Sequence, residues 1–370
     1  MPIRYLTDIH FGAGAITGLP DLLQELNIRR PLVVTDPGIV AAGLVDQLNL
    51  EPIRVFDNVQ TNPSESSAKA GLAMFRESQC DGLIAIGGGS PIDCAKCVAL
   101  LANHTESLAA YALINGGLSK ITRNRPAVIA IPTTAGTGSE VGRAALVTLS
   151  GGTKLAIVSP YLIPDAAICD PNLTLGLPPG LTAATGMDAI SHCVENYCSD
   201  QFNPPADAIA LDGLQRAHKN LRLAVRDETD IAARTEMMVA ALHGGLTFQK
   251  GLGAIHALSH PLGGLEHKRL HHGTLNAIFL PHVLRYNMNA CPEKMEQMAR
   301  ALNVPKSSRL PEFFSQFVME PGLPLRLRDL DVTREDLEPM SETAIHDHCS
   351  KTNPRPMTID DCRSLYQSAS

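Results

Sequence analysis

Apolar and polar positions along the chain fall into two regimes. In the first half, short apolar runs alternate with stretches of helical composition. Residues 1–20 read as a short strand and turn. Arg30–Asp36, Ile53–Phe56, Asp81–Ile86 and Ala127–Ile131 read as strands, since compact apolar runs between turn residues suit strands buried on both faces. Val40–Leu48 and Ser64–Ser78 read as helices between them. This alternation predicts a parallel α/β sheet with right-handed crossovers. From Leu155 further short strands follow, the last at 166–171. The Pro-rich connection Leu177-Pro178-Pro179-Gly180 then marks a boundary. Beyond it Leu181–Asn196, Pro205–Val225, Asp230–Lys250 and the stretch from Gly253 read as helices, rich in Ala, Leu and Met and without β-alternation. The pattern predicts an α/β domain over 1–178 and an all-helical domain over 179–370.

Composition narrows the class. With 370 residues and 44% apolar content the chain is globular and long enough for about two domains. A net charge of −7 with no basic run argues against nucleic acid as the partner. No apolar stretch reaches the ~20 residues that span a bilayer, and MPIRYLTDIHFGAG has no signal-peptide core, so a cytoplasmic protein with no membrane partner is expected. Nine cysteines without framework spacing fit reduced thiols. Cys94 and Cys97 have CxxC spacing, but inside an expected helix, whereas a redox pair wants the helix N-terminus. They read as coincidental.

Candidate chemistry is concentrated in the second half. Gly251–Asn276 holds five of the thirteen histidines. His256 and His260 share a helix face at i, i+4, and His267, His271 and His272 follow in and after a charged turn. Such density suggests a metal, a proton relay, or a polar helix face beside a solvated loop. Upstream, Asp188 and His192 are also i, i+4, among small and apolar residues. A carboxylate and an imidazole on such a face are costly to bury unless they pair with each other or bind a cation. Two faces of this kind can close around one ion, and an O/N ligand set without thiolate suits Fe(II), Zn or a similar divalent metal.

The first half offers loops for a polar ligand. The strand at 81–86 runs into Gly87-Gly88-Gly89-Ser90, where backbone N–H groups can approach a phosphate at a helix N-terminus, or simply form a tight turn. The strand at 127–131 runs into Pro132-Thr133-Thr134-Ala135-Gly136-Thr137-Gly138-Ser139. Two such loops at strand C-termini sit where open α/β sheets bind dinucleotides.

Together the motifs GGGSPIDCAK (87–96), TTAGTGSEV (133–141), DPNLTLGLPPGLTAATGMDAISH (170–192), GAIHALSHPLGG (253–264) and HHGTLNAIFLPHVLRYN (271–287) carry a family resemblance. The chain resembles the iron-containing (group III) alcohol dehydrogenases from end to end. By FQKGLG (248–253), LHHGTLNA (270–277) and KTNPR (351–355) it is similar to their 4-hydroxybutyrate dehydrogenase-like branch. The resemblance implies a dinucleotide-binding domain, an all-helical metal domain and an active site in the cleft between them. It implies metal ligands Asp188, His192, His256 and His272, with His271 the rival for the fourth place because 256–272 is about two residues longer than in many members. It implies His260 near nicotinamide and substrate as a proton relay. It puts Asp36 near the adenosine ribose and Gly88, Gly89 and Ser90 at the pyrophosphate. Asp93, Thr133, Thr134, Thr137 and Lys154 would line the rest of the cofactor groove.

The expected function is NAD-linked interconversion of a primary alcohol and its aldehyde with a divalent metal, Fe2+ ahead of Zn2+, in a homodimer or larger homo-oligomer. Asp36 favours NAD over NADP, since a carboxylate accepts from ribose hydroxyls and repels a 2′-phosphate; the alternative is an acid capping a turn. The charged turn Glu266-His267-Lys268-Arg269, with Lys250, could pair with a substrate carboxylate such as that of 4-hydroxybutyrate, or be a surface turn. The rival activity is a cyclising lyase of the dehydroquinate synthase type. A non-catalytic binding role ranks lower, because every ligand position is filled.

Overall fold

A computed structural model describes residues 7–51, 53–265, 267–268 and 270–370. They form two units: one runs to Thr134 and resumes over Gly138–Leu175, the other joins Ala135–Thr137 to Gly176–Ser370.

The first unit carries a six-stranded sheet in which every neighbouring pair is parallel. Its order is β1 (Asp8–Phe11), β8 (Ala166–Cys169), β5 (Ala127–Pro132), β4 (Gly82–Gly87), β2 (Pro31–Val34) and β3 (Arg54–Phe56). All six residues of β4 are buried, as expected of a central parallel strand covered on both faces. The register pairs Gly87 with Pro132 and Val34 with Ala85, so the chain leaves β2, β4 and β5 at adjacent points of one sheet edge. The fifteen-residue helix Gly89–Asn103 starts at once behind β4. Cys94 and Cys97 are buried inside it, and burial pushes the Cys94 thiol up to about 12, the behaviour of packing residues.

Two local expectations are corrected. The helix expected over Val40–Leu48 is instead a short helix Pro37–Ala41 and a 3-10 turn Asp46–Leu48. Asp36 and Pro37 start the helix early, and Gly43 at φ +69° breaks it. A hairpin stands where only its second arm was expected: β6 (Ala144–Thr148) pairs antiparallel with β7 (Lys154–Val158) across Gly151 and Gly152.

The described residues of the second unit contain no strand. Its central helix, Pro179–Cys198, is buried at every position from Thr182 to Cys198. A helix buried all round has neighbours on every side, and here they come close through glycines. A Cβ added to Gly213 would stand 2.8 Å from Cys193 Sγ, and one on Gly244 would stand 2.9 Å from His192 Cβ. On Gly273 it would stand 2.1 Å from the Ala184 carbonyl oxygen and 3.2 Å from Asp188 Cβ. Only glycine fits where the helix His272–Asn287 crosses the central one.

This crossing yields a stability prediction. Gly273→Ala should cost about 1–3 kcal/mol, because the obstructing atom is backbone and a whole helix must shift. Gly180→Ala is the control: nothing lies within 4 Å of its added Cβ. Thermal denaturation should show a clear loss for the first and little change for the second.

Candidate metal centre and cofactor loops

Asp188 sits mid-way along the central helix with 2% of its surface exposed. Its Oδ1 is the hub of a cluster: His256 Nε2 and His272 Nε2 each lie 3.7 Å away, and His192 Nε2 lies 3.8 Å away. Asp188, His256 and His272 have ligand atoms mutually within 4.8 Å. His192 stands at the edge of this trio, its ring stacked on His256 at 4.5 Å and edge-on to Phe248 at 4.7 Å. Edges near 3.7 Å suit a tetrahedral site, since bonds of about 2.0–2.2 Å give ligand separations of about 3.3–3.6 Å.

The far nitrogens show which tautomers are present. His256 Nδ1 is 2.5 Å from Glu195 Oε2, and His192 Nδ1 is 3.3 Å from the Gly136 carbonyl. Both partners are acceptors, so each Nδ1 carries a hydrogen and each Nε2, turned to Asp188, is the nitrogen left for a metal. Glu195 also accepts the Ile255 N–H at 2.5 Å, tying the start of the helix Ala254–Gly263 to the central helix.

Asn276 tests whether a metal fits. Its Nδ2 lies 2.7 Å from Asp188 Oδ1, 3.2 Å from His256 Nε2 and 3.1 Å from His272 Nε2. Three metal-ligand-type atoms converge on one amide nitrogen, and its buried Oδ1 has no hydrogen-bond partner. A donor set so rich in lone pairs around one point suits a divalent cation.

The electrostatics agree. Burial works against ionisation of Asp188, yet His192, His256 and His272 hold its carboxyl far below the usual range. Burial lowers His192 to about 4, so it is neutral at pH 7, the form that ligates. His256 is also opposed by burial, but Glu195 and Asp188 raise it to about 9. The cluster balances its anions with a proton at the place a metal would take.

Of the other histidines, His260 lies one turn beyond His256. Its Nδ1 is 2.9 Å from Asp347 Oδ2, and its ring is near-parallel to His272 at 5.3 Å and to His348 at 5.8 Å. His271 is the N-cap residue of the next helix, outside both groups of ligand-type side chains found among the described residues. The second of those groups is His260, Asp347, His348 and Cys349. Glu195, Asn276, Asp347 and His348 escaped the sequence reading. Glu195 stands seven residues after Asp188 and Asn276 four after His272, so helical periodicity could have found both. Asp347 is 87 residues from His260 and has no local signal.

In the first unit the glycine loop after β4 leads directly into a helix N-terminus. Gly87 has φ +144°, and Gly88 is the N-cap of the Gly89–Asn103 helix with no side chain capping it. Uncapped first-turn N–H groups are anion donors. Thr133, whose N–H bonds the Gly87 carbonyl at 3.0 Å, has a buried Oγ1 with no hydrogen-bond partner. A Cβ on Gly88 would lie 3.4 Å from Thr134 Oγ1. Ser90 Oγ accepts from Asn62 N at 3.2 Å, and Lys154 Nζ donates to Asn62 Oδ1 at 2.7 Å, so these three share one patch. Asp36 Oδ1 caps the next helix, accepting the Gly38 and Ile39 N–H groups at 2.9 and 3.1 Å, and its Oδ2 would be 3.5 Å from a Cβ on Gly87.

Other residues are committed elsewhere. Both oxygens of Asp93 are engaged, by Ser139 Oγ at 2.6 Å and Leu146 N at 3.0 Å, so it ties helix to hairpin. Thr137 belongs to the short segment that groups with the second unit. Lys250 is buried, paired with Asp207 and bonded to the Tyr197 carbonyl at 3.0 Å. Lys268 donates to the Asp331 carbonyl at 2.6 Å, and His267 lies 3.4 Å from Asp336. As anchors for a substrate carboxylate, Lys250 and Lys268 are therefore already spent on other anions and carbonyls. Glu266 and Arg269 of that turn lie outside the described residues.

Comparison with known proteins places this geometry. Residues 7–171 match the model described as iron-containing alcohol dehydrogenase, and 182–370 match the C-terminal model of the Fe-containing alcohol dehydrogenase family. A 4-hydroxybutyrate dehydrogenase of Cupriavidus necator is 46% identical over 99% of this chain and 98% of its own length. A crystal structure of 1,3-propanediol oxidoreductase superposes with TM-score 0.93 at 37% identity, covering all of both chains. Sulfoacetaldehyde reductase from Bifidobacterium kashiwanohense, solved in complex with NAD+, gives TM-score 0.88 at 28% identity over 100% of this chain and 98% of that one. None of these relatives favours the cyclising lyase. A carboxylate ringed by imidazoles and two family models that between them cover nearly the whole sequence agree: the chain belongs to the iron-containing alcohol dehydrogenase family and is a metal-dependent alcohol dehydrogenase.

Proposed function

We propose that the enzyme interconverts a short ω-hydroxy acid, 4-hydroxybutyrate first, and its semialdehyde, with NAD as redox partner and Fe2+ as the metal, Zn2+ being the alternative. The observation that carries the metal reading is the convergence of His192, His256 and His272 Nε2 on Asp188 Oδ1. The 46% identical relative supports the substrate. The reading includes a homodimer or larger homo-oligomer in the cytoplasm. No helix among the described residues is long and apolar enough to cross a membrane.

Each part of the chain has a task in this reading. Asp188, His192, His256 and His272 hold the metal, and Glu195 fixes the His256 ring by its hydrogen bond. Such an ion supplies Lewis acidity, which lowers the pKa of an alcohol and polarises an aldehyde carbonyl. His260 carries the hydroxyl proton, a task suited to imidazole. Gly88, Gly89 and Ser90 offer N–H groups to the pyrophosphate, with Thr133, Thr134 and Lys154 beside it, while Asp36 Oδ2 receives the ribose hydroxyls. NAD supplies the hydride chemistry and the protein supplies position. Thr137 lines the rest of the cofactor groove, and Asp93 supports the loop system through Ser139 and Leu146.

Three outcomes are expected. His272→Ala should lose bound metal and lower turnover by more than the roughly 10–100-fold that loss of an outer partner such as Glu195 costs in Glu195→Gln. His271→Ala should keep its metal. Metal analysis beside kcat decides, and the reverse pattern would make His271 the ligand. Second, kcat/KM should favour NAD over NADP by at least about tenfold, or ~1.4 kcal/mol, with Asp36→Ser narrowing the gap. A wild-type preference for NADP would sink the cofactor assignment. Third, succinic semialdehyde should be reduced with a lower KM than an uncharged aldehyde of equal length. Arg269→Ala should raise KM for the charged substrate alone, whereas Lys250→Ala and Lys268→Ala should not discriminate. Equal use of both aldehydes by the wild type would leave a general alcohol dehydrogenase.

A further inference from the structure

The segment 347–353 is fastened to the His256–His260 helix at both of that helix's ends. At the N-terminal end Asn353 Oδ1 accepts the Ala254 N–H at 3.1 Å, and Thr352 Oγ1 donates to the Leu252 carbonyl at 2.5 Å. Asn353 is itself held by Asn287, Nδ2 to Oδ1 at 2.8 Å. Further along the helix, Asp347 Oδ2 meets His260 Nδ1 at 2.9 Å. Asp347 in turn cannot swing, because its Oδ1 caps the turn His348–Thr352 by accepting the Cys349 N–H at 2.8 Å and lies 3.4 Å from His348 Nδ1. A carboxylate pinned this way specifies one orientation of the ring it meets.

It also specifies a tautomer. Burial opposes the charge on Asp347, but His260, His348 and the Cys349 N–H hold its carboxyl well below the usual range, so it is ionised at working pH. An ionised carboxylate only accepts. The hydrogen between the two residues must therefore sit on His260 Nδ1, which leaves Nε2 as the nitrogen with a lone pair. His256 Nδ1 likewise meets a carboxylate oxygen, that of Glu195 at 2.5 Å, so two histidines one turn apart on one helix each face a separate acid.

We infer that Asp347 is a positioning residue for the reaction: it holds His260 in the Nδ1–H tautomer and in one orientation, so that Nε2 serves the substrate hydroxyl, while His348 holds the second carboxylate oxygen. The inference rests on the reading of His260 as the proton carrier. Asp347 need not touch substrate. Replacing it by asparagine keeps size and most hydrogen bonds but offers an amide that can donate as well as accept, so the tautomer is no longer fixed.

The test uses metal-loaded enzyme and four variants: His260→Ala, Asp347→Asn, Asp347→Glu and the double variant His260→Ala/Asp347→Asn. Asp347→Asn should lower kcat by roughly 10–100-fold with KM little changed and metal content as in wild type. Asp347→Glu, which restores an acceptor-only group, should recover part of the loss. The double variant should be no slower than His260→Ala alone, since a residue acting through another adds nothing once that one is gone. Wild-type kcat in Asp347→Asn, full additivity in the double variant, or a fall in metal content parallel to kcat would each overturn the inference. If His260→Ala alone keeps wild-type turnover, the proton-carrier reading fails first, and this inference falls with it.

Discussion

An ionised carboxylate buried in the middle of a helix that is itself buried all round is the constraint on which the second unit depends. Taking a carboxylate out of water costs several kcal/mol even after relaxation. Asp188 can bear that only with positive charge or strong donors on its open side. The amide of Asn276 donates to it at 2.7 Å, and the Nε2 atoms of His192, His256 and His272 ring the same oxygen as the partners with which it would share a cation. The same demand sets the backbone packing. His272 can reach Asp188 because Gly273 lets its helix approach to where a methyl group would strike the Ala184 carbonyl. Gly244, opposite His192, does the same on another side. Small residues at crossings and charged groups at the centre are two aspects of one solution.

A second layer of acceptors gives that centre its direction. His192 is anchored by the Gly136 carbonyl, His256 by Glu195 and His260 by Asp347, each through Nδ1. An imidazole with its far nitrogen fixed offers the near one without ambiguity. The inward nitrogens set which atoms face the centre, and the acceptors behind them fix how the rings are turned.

How much of this was legible in the sequence depends on distance along the chain. The pairs Asp188/His192 and His256/His260 were legible because helical periodicity turns a spacing of four into a shared face. The parallel sheet was legible because its central strands are buried on both sides. Glu195 and Asn276 obeyed the same periodicity and were overlooked, since a lone Glu or Asn on a helix is ordinarily solvated. Asp347 was not legible: its meeting with His260 is made by tertiary packing over 87 residues. Asp93, which motif position puts in the cofactor groove, also holds partners that spacing does not show: Ser139 Oγ on one oxygen and, on the other, Leu146 N from the hairpin arm that went unseen. Lys250 looked like an anion anchor until its burial against Asp207 was visible.

The two units present their polar groups in different ways. Around Asp188 the charge is built in, buried and countered by side chains on several helices, so the site depends on the packing of the whole unit. At the glycine loop the donors are backbone N–H groups at one helix N-terminus, and what matters there is the absence of side chains at Gly87 and Gly88. Such a loop needs only a strand, a turn and a helix in sequence, which is why a ten-residue motif marks it well. The cluster around Asp188 is assembled from segments up to eighty-eight residues apart, as between Asp188 and Asn276. In the helical half, therefore, the identity of a residue says less than what the fold sets against it.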